Sequence, residues 1–291
     1  MLRNIFYWIL GLGILLANKA RYTLRGYRTP RPFKVTDTDA VMAYDREVVD
    51  RWEEHLRRYG VSDAFRGKRV IELGPGADLG VGLLALARGA GSYSAIDAND
   101  LIAQAPPSLY DAFFSGMPET SAAELREELG RFMKGDSARI RFVLDPSFAF
   151  VDIPSASQDL IVSNAAFEHF ADIPSVARHM ARIAAPGAVL CAHVDLQTHT
   201  RVIRDRDPLN IYRFSRPLYR ALRFSGIPNR VRPHEYIAAL KNAGWQDIMT
   251  VPVTEIQPKD FPRLSSGLAR RFAREGGTLR VLSFMLLARR Q

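Results

Sequence analysis

The run Val70-Ile71-Glu72-Leu73-Gly74-Pro75-Gly76-Ala77-Asp78-Leu79-Gly80 places a carboxylate inside an apolar stretch, two residues ahead of a glycine-rich turn. Burying a carboxylate is costly unless it is paired, so Glu72 points to a cationic or hydrogen-bond-donating ligand group. Gly74 and Gly76 let the backbone approach a ligand with no Cβ in the way. Pro75 stiffens the turn between them. Downstream, Ser94-Ala95-Ile96-Asp97 ends a second apolar run on an acid that can accept both hydroxyls of a ribose. Strand, glycine turn, helix and acid-terminated strand together form a nucleotide-handling unit at the carboxyl edge of a parallel sheet.

A dinucleotide site calls for G-x-G-x-x-G with a helix N-terminus aimed at a pyrophosphate. Here the glycines run G-x-G-x-x-x-G and an acid precedes them. That acid would repel a pyrophosphate and suit the amino group of S-adenosylmethionine. The E-L-G-P-G run with its downstream I-D resembles the class I S-adenosylmethionine-dependent methyltransferases. Ser163-Asn164-Ala165-Ala166-Phe167-Glu168-His169 is similar to the S-x-x-x-x-E-H segment that follows strand four in many of them. H-x-D-L-x-x-H from His193, D-P-L-N-x-x-R-F-S from Asp207 and N-R-V-R-x-x-E-Y from Asn229 resemble a recurrent bacterial subgroup. The resemblance covers roughly residues 65–250. It implies an α/β, Rossmann-like fold with a mostly parallel seven-stranded sheet and an antiparallel last strand. It also implies S-adenosylmethionine as cofactor, held by Glu72, Gly74, Pro75, Gly76, Asp97 and Asn164, with Asp145 after strand three near the adenine.

Methyl transfer from a sulfonium is an in-line displacement that needs proximity, orientation and a dry site. A hydroxyl or protonated amine acceptor needs a base as well. Three histidines fall at the carboxyl ends of strands four and five: His169, His193 and His199. His169, Asp195 and His199 are the candidate catalytic residues. His193 and Asp195, two apart on a strand, share a face, and His193 can equally be a core histidine. Glu168-His169 can also be the start of the next helix, with Glu favourable near its N-terminus. His169, His193, Asp195 and His199 lack ligand-like spacing, so no metal site is assigned. Asn164-Ala165-Ala166-Phe167 lacks both prolines of the N-P-P-F/Y segment of amino-group methyltransferases, so N-methylation is not read from it.

The elements that must position these residues follow from periodicity. A charged helix over 40–59 serves as a lid or cap. Strands are expected at about 69–73, 93–97 and 140–144, with a helix at 79–89. A longer crossover over 99–135 includes a charged helical stretch from Ala122 to Lys134. Strand four begins at Asp159, and a helix ended by Pro186-Gly187 leads to strand five, Ala188 to Asp195. Helix 234–243, strand six at 246–253 and a last strand at 279–288 complete the sheet. Residues 196–233 are expected to form an acceptor-binding insertion, with nine arginines between 199 and 232 interleaved with Tyr212, Phe214, Tyr219 and Phe224. Arginine forks suit phosphate or carboxylate; the alternative is a solvated basic surface, or one resting on anionic lipid. Over 259–275, Leu264, Leu268 and Phe272 recur every four residues beside arginines, the pattern of an interfacial helix.

Charge divides the 291-residue chain into two regions, 1–34 and a methyltransferase domain at 35–291. Residues 1–34 carry seven cations and no acid; the rest holds 33 cations and 31 acids, a net of +2 out of +9. A nucleic-acid protein would place its basic stripe on the folded domain, so no nucleic-acid partner is expected. Cys191, the one cysteine, lies in an apolar run, which excludes an internal disulfide. Residues 5–17 are uncharged but span only about 20 Å as a helix. Ala17-Asn18-Lys19-Ala20 fits a signal cleavage site poorly. Extended through Ala20 to Leu24 the helix could just span a bilayer; lying flat it could hold Phe6, Tyr7 and Trp8 at headgroup level. Either way it is expected to be a membrane anchor whose cations meet anionic lipid, the alternative being a helix buried in the core, and the positive-inside tendency sets the domain on the cytoplasmic face. Pro30 and Pro32 mark a linker. The resulting expectation is a membrane-anchored methyltransferase acting on an envelope-related acceptor: an anionic lipid, a lipid-linked sugar or a polysaccharide. A non-catalytic membrane adaptor and a small-metabolite methyltransferase are the alternatives.

Overall fold

The computed structural model describes residues 2–26 and 34–291. The linker prolines Pro30 and Pro32, with Arg28 and Arg31, lie outside them. The chain opens with helix α1 (Leu2–Arg25). Helix α2 (Thr38–Arg58) starts at Asp37, whose carboxylate accepts the Ala40 N–H at 3.3 Å. It buries Val41, Val48, Val49, Trp52 and Leu56, the apolar stripe of an amphipathic helix. Then come β1 (Arg69–Leu73), α3 (Gly80–Ala87) and β2 (Ser92–Asp97). The long crossover folds as two helices, α4 (Pro107–Ser115) and α5 (Glu119–Met133), before β3 (Ile140–Leu144). Next follow β4 (Gln158–Asn164), α6 (Ile173–Ile183) and β5 (Ala184–Asp195). The insertion holds α7 (Arg201–Arg204) and α8 (Arg216–Ala221), and leads to α9 (Pro233–Asn242) and β6 (Trp245–Glu255). Two short helices, α10 (Phe261–Ser265) and α11 (Arg270–Ala273), precede β7 (Val281–Arg290).

The seven strands form one sheet in the order β3-β2-β1-β4-β5-β7-β6. All are parallel except β7, which pairs antiparallel with both β5 and β6. Alternation along the strands builds two apolar layers. Val70, Val162, Cys191 and Leu287 face α2 to α5. Ile71, Ile161, Leu190 and Leu286 face α6 and α9. Cys191 is buried, and burial pushes its thiol up, as expected of a core residue. The sheet order reverses between β1 and β4, so the carboxyl ends of β1, β2, β4 and β5 border the crevice where ligands bind in such sheets.

Three expectations change. Strand five begins at Ala184 rather than Ala188: Ala184 pairs with Gln158, and the irregular register absorbs Pro186, which has no N–H to donate. Residues 259–275 form no continuous helix. Gly267, at φ +76°, separates α10 from α11, and the place of its missing Cβ is taken by Asn4. Leu264, Leu268 and Phe272 are buried in a third apolar cluster with Leu209, Tyr212, Phe214 and Leu282, so their recurrence marks a core face. Finally, no helix among the described residues is long and apolar enough to cross a membrane. Instead α1 lies along the insertion. Arg3 donates to the Arg206 and Arg263 carbonyls, Lys19 to the Ala221 carbonyl, and Asn210 to the Tyr7 carbonyl. Tyr22 stacks on Phe224, with ring centroids 4.9 Å apart. A Cβ on Gly11 would sit 2.1 Å from Asn210 Oδ1, so a glycine is what allows this close approach.

Candidate active site

The glycine turn after β1 has the predicted character. Gly74 and Gly76 adopt φ +79° and +84°, a region that disfavours any residue with a Cβ. A Cβ on Gly74 would also lie 2.5 Å from the Ala166 Cβ, because the loop after β4 crosses directly over it. Pro75 holds the peptide between them. Asp97, at the end of β2, ties the turn to its own strand. Its Oδ2 accepts the Gly76 N–H at 3.3 Å and its Oδ1 the Asn99 N–H at 2.8 Å. Burial raises the Asp97 pKa against the lowering pull of those amides. Glu72 is buried beneath the turn, and the donor its carboxylate requires comes in part from the fold itself: the Tyr93 hydroxyl. Burial and that carboxylate push the phenol well up. Tyr93 fits there because Gly82 leaves room; a Cβ on Gly82 would lie 2.2 Å from its ring.

Asn164 closes this half from β4. Its amide donates to the Tyr44 hydroxyl at 2.6 Å and its Oδ1 accepts from Arg51 at 3.2 Å. Both partners come from α2, which thus caps the sheet edge as the sequence suggests. Asp145 accepts from Ser147 and from the Phe150 N–H, and so pins the loop after β3. Bare left-handed backbone beside a desolvated carboxylate at the end of β2 fits S-adenosylmethionine.

Beyond the glycine turn, four groups converge. Glu168 and His169 lie in a single 3-10 turn, Phe167–His169, and not at the start of α6. Ala165 enters that turn at φ +55°, an uncommon conformation for a residue with a Cβ. Asn229 of the insertion holds the turn by donating to the Phe167 and Phe170 carbonyls at 2.9 and 3.1 Å. His199 Nε2 lies 3.8 Å from Glu168 Oε1 and 3.7 Å from Asp195 Oδ2. The His169 and His199 rings meet edge to face, with centroids 4.8 Å apart. Arg204 donates to Asp195 Oδ2 at 2.6 Å. Burial lowers both histidines to about 3, with His199 adding to the effect on His169 and Arg204 to that on His199. Both are therefore neutral at physiological pH. Burial, then the Asp195 carboxylate, pushes Glu168 well up. His193 stands apart from this cluster. Burial and then Arg51 lower it to about 4, and both its ring nitrogens are without a hydrogen-bond partner.

The family model for a methyltransferase domain matches residues 44–250. The chain belongs to this family. It is an S-adenosylmethionine-dependent methyltransferase. Solved structures with a similar fold include an S-adenosylmethionine-dependent methyltransferase from Mesorhizobium loti, 16% identical, with a TM-score of 0.46; the match covers 83% of this chain and 100% of that one. Another is phosphoethanolamine N-methyltransferase 2 of Haemonchus contortus in complex with S-adenosyl-L-methionine, 14% identical, TM-score 0.47, covering 85% of this chain and 52% of that one. A third is the CurJ carbon methyltransferase, 15% identical, TM-score 0.48, covering 97% and 66%. No curated protein matches the sequence.

Within the methyltransferase, the structure divides the insertion's arginines into buried and exposed ones. Arg213 forms a buried bidentate pair with Asp207, at 2.8 and 2.7 Å. Arg230 donates to the Ile211 and Phe214 carbonyls beneath the Tyr219 ring. Arg232 donates to the Tyr212 hydroxyl and the Thr278 and Val281 carbonyls. These three are structural, and Tyr212, Phe214 and Tyr219 are core residues. Arg201, Arg206, Arg216, Arg220 and Arg223 are exposed. Sequence reasoning missed Tyr44, Arg51, Glu168 and Arg204 as members of the site. Glu168 alone carried a signal, as the neighbour of His169.

Proposed function

We infer that this methyltransferase works at an anionic membrane surface, on the cytoplasmic face, and methylates an envelope-related acceptor: a lipid, a lipid-linked sugar or a polysaccharide. One observation carries the reading. With its other face docked on the insertion, α1 turns Leu2, Ile5, Phe6, Ile9 and Leu16 outward, and Leu2 (82%), Phe6 (59%) and Ile9 (61%) are strongly exposed. Their spacing makes one apolar stripe, and Arg21 and Arg25 are exposed beside its C-terminal end. Such a helix lies in the headgroup region, where each cation near the surface adds about 1 kcal/mol. The docked face leads to the site: Arg3 bonds the Arg206 carbonyl, two residues from Arg204.

Bound cofactor supplies an electrophilic methyl group on a sulfonium. The protein's part is to hold and to deprotonate. Gly74, Gly76 and Asp97 seat the cofactor, with Glu72, Pro75 and Asn164 shaping the turn around it. His199, neutral and partly accessible, takes the acceptor proton, and Asp195 stabilises the imidazolium that forms. Arg204 fixes that carboxylate.

Co-sedimentation of the full chain with phosphatidylglycerol and phosphatidylcholine vesicles tests the membrane reading. Binding is expected to the anionic vesicles, to weaken with salt, and to be lost in Phe6→Glu/Ile9→Glu while S-adenosylmethionine binding persists. Equal recovery in the supernatant with and without anionic vesicles would instead support a small-metabolite methyltransferase.

A further inference from the structure

Glu168, His169 and His199 present one ligand atom each within 4.8 Å of one another. Both Glu168 oxygens are buried without a hydrogen-bond partner, as are His169 Nδ1 and His199 Nε2, and the Glu168 residue is only 1% exposed. Buried polar atoms without partners are rare and call for an occupant. Here a buried carboxyl and two neutral imidazoles converge with atoms that have no hydrogen-bond partner, and a cation would satisfy all three together.

We propose that Glu168, His169 and His199 bind a divalent transition-metal ion, with Asp195 at its edge and an open position for an acceptor oxygen. Two imidazoles and a carboxylate suit Zn²⁺, Mn²⁺, Fe²⁺ or Co²⁺ rather than Ca²⁺ or Mg²⁺, which favour all-oxygen sites. The 3.8 Å between His199 Nε2 and Glu168 Oε1 lies within the roughly 4.2 Å that two ligands each about 2.1 Å from one ion can span, while the cluster's full spread of 4.8 Å requires the side chains to draw in on binding. Asp195, 3.7 Å from His199 Nε2 and braced by Arg204, is the nearest further oxygen. The ion deepens the proposed reaction. With the ion bound, His199 would serve as a ligand in place of a base: the ion would hold a hydroxyl-bearing acceptor by its oxygen and lower that hydroxyl's pKa, the proton leaving to solvent. Metal binding itself does not depend on the acceptor's identity or on membrane attachment.

The test uses tag-free full-length protein, stripped with chelator and titrated with Co²⁺ and Zn²⁺ by calorimetry and visible absorption. One equivalent is expected to bind, with d–d bands for Co²⁺. In the unmodified protein, spin-echo spectra of bound Cu²⁺ should show imidazole nitrogen. His199→Ala and Glu168→Gln should each weaken Zn²⁺ binding more than about tenfold, while His193→Phe leaves it unchanged. S-adenosylmethionine binding by each variant reports that it is folded. No stoichiometric binding by the unmodified protein, or no imidazole signal, overturns the site. Metal binding without activity on any envelope acceptor would keep the site and reject the acceptor reading.

Discussion

Asp97 joins the two strand ends of the cofactor site through the Gly76 and Asn99 amides. Asp97→Ala removes the acceptor proposed for the ribose hydroxyls and leaves those amides unpaired. A hydrogen bond to a charged group is worth about 1.5–3 kcal/mol. Calorimetry should therefore show S-adenosylmethionine affinity falling by at least about tenfold; unchanged affinity would mean the ribose is held by another acid. Glu72, Gly74, Gly76 and Asp97 are legible because their roles rest on local chemistry: an acid in an apolar strand, and glycines where only glycine is comfortable. Tyr93, Tyr44 and Arg51 are not. Tyr44 and Arg51 reach Asn164 from α2, Tyr93 reaches Glu72 from the neighbouring strand, and nothing in Tyr93 itself says that Gly82 will leave room for its ring. Glu168 is similar. Its neighbour His169 is visible at once, but His199, thirty residues on, meets them only through the turn that Asn229 clamps.

At the scale of elements, α1 shows how a single residue sets a docking distance. Gly11 lies against Asn210, which is held between the Tyr7 carbonyl and Asp207 and so has little room to move. Gly11→Leu should loosen the docking by about 1–3 kcal/mol, the usual range for overpacking. Hydrogen exchange of the α1 amides would rise while cofactor affinity stays unchanged; unaltered exchange would show that the helix is held elsewhere. The apolar composition of residues 5–17 is plain in the sequence, but its division into a docked face and an outward face is not. The same holds for residues 259–275. There, apolar and basic residues alternate as they would on a membrane helix, and the broken backbone at Gly267 turns the apolar ones inward. The strands are easier to read, since β-branched and apolar runs bounded by glycine and proline require little knowledge of what packs on them.

At the scale of the whole molecule, three histidines are held neutral by burial: His169 and His199 at about 3 and His193 at about 4, against 6.5 for the free side chain. Below pH 6.5 the unfolded chain therefore binds protons that the folded chain refuses. Stability is present above that pH and is lost as pH falls toward 4, by up to about 1.4 kcal/mol per unit for each histidine. Glu168 and Asp97, both raised by burial, run the opposite way, against four histidines once His55, also lowered by burial, is counted. Denaturant titrations of chelator-treated protein at pH 7.5 and 5.5 should show the loss, and His193→Phe should reduce its slope; equal stability at both values would contradict the burial of these rings. By itself the sequence showed the strands, the glycine turn and the acids beside it, and through their resemblance to the class I methyltransferases it implied the class of fold and the cofactor. Those depend on periodicity, turn chemistry and short-range spacing, which survive without tertiary contacts. Only the tertiary structure decided which arginines are structural, which face of α1 is free, and that Glu168, His169 and His199 converge. These depend on how distant segments pack, and every arginine or histidine looks the same until its neighbours are known.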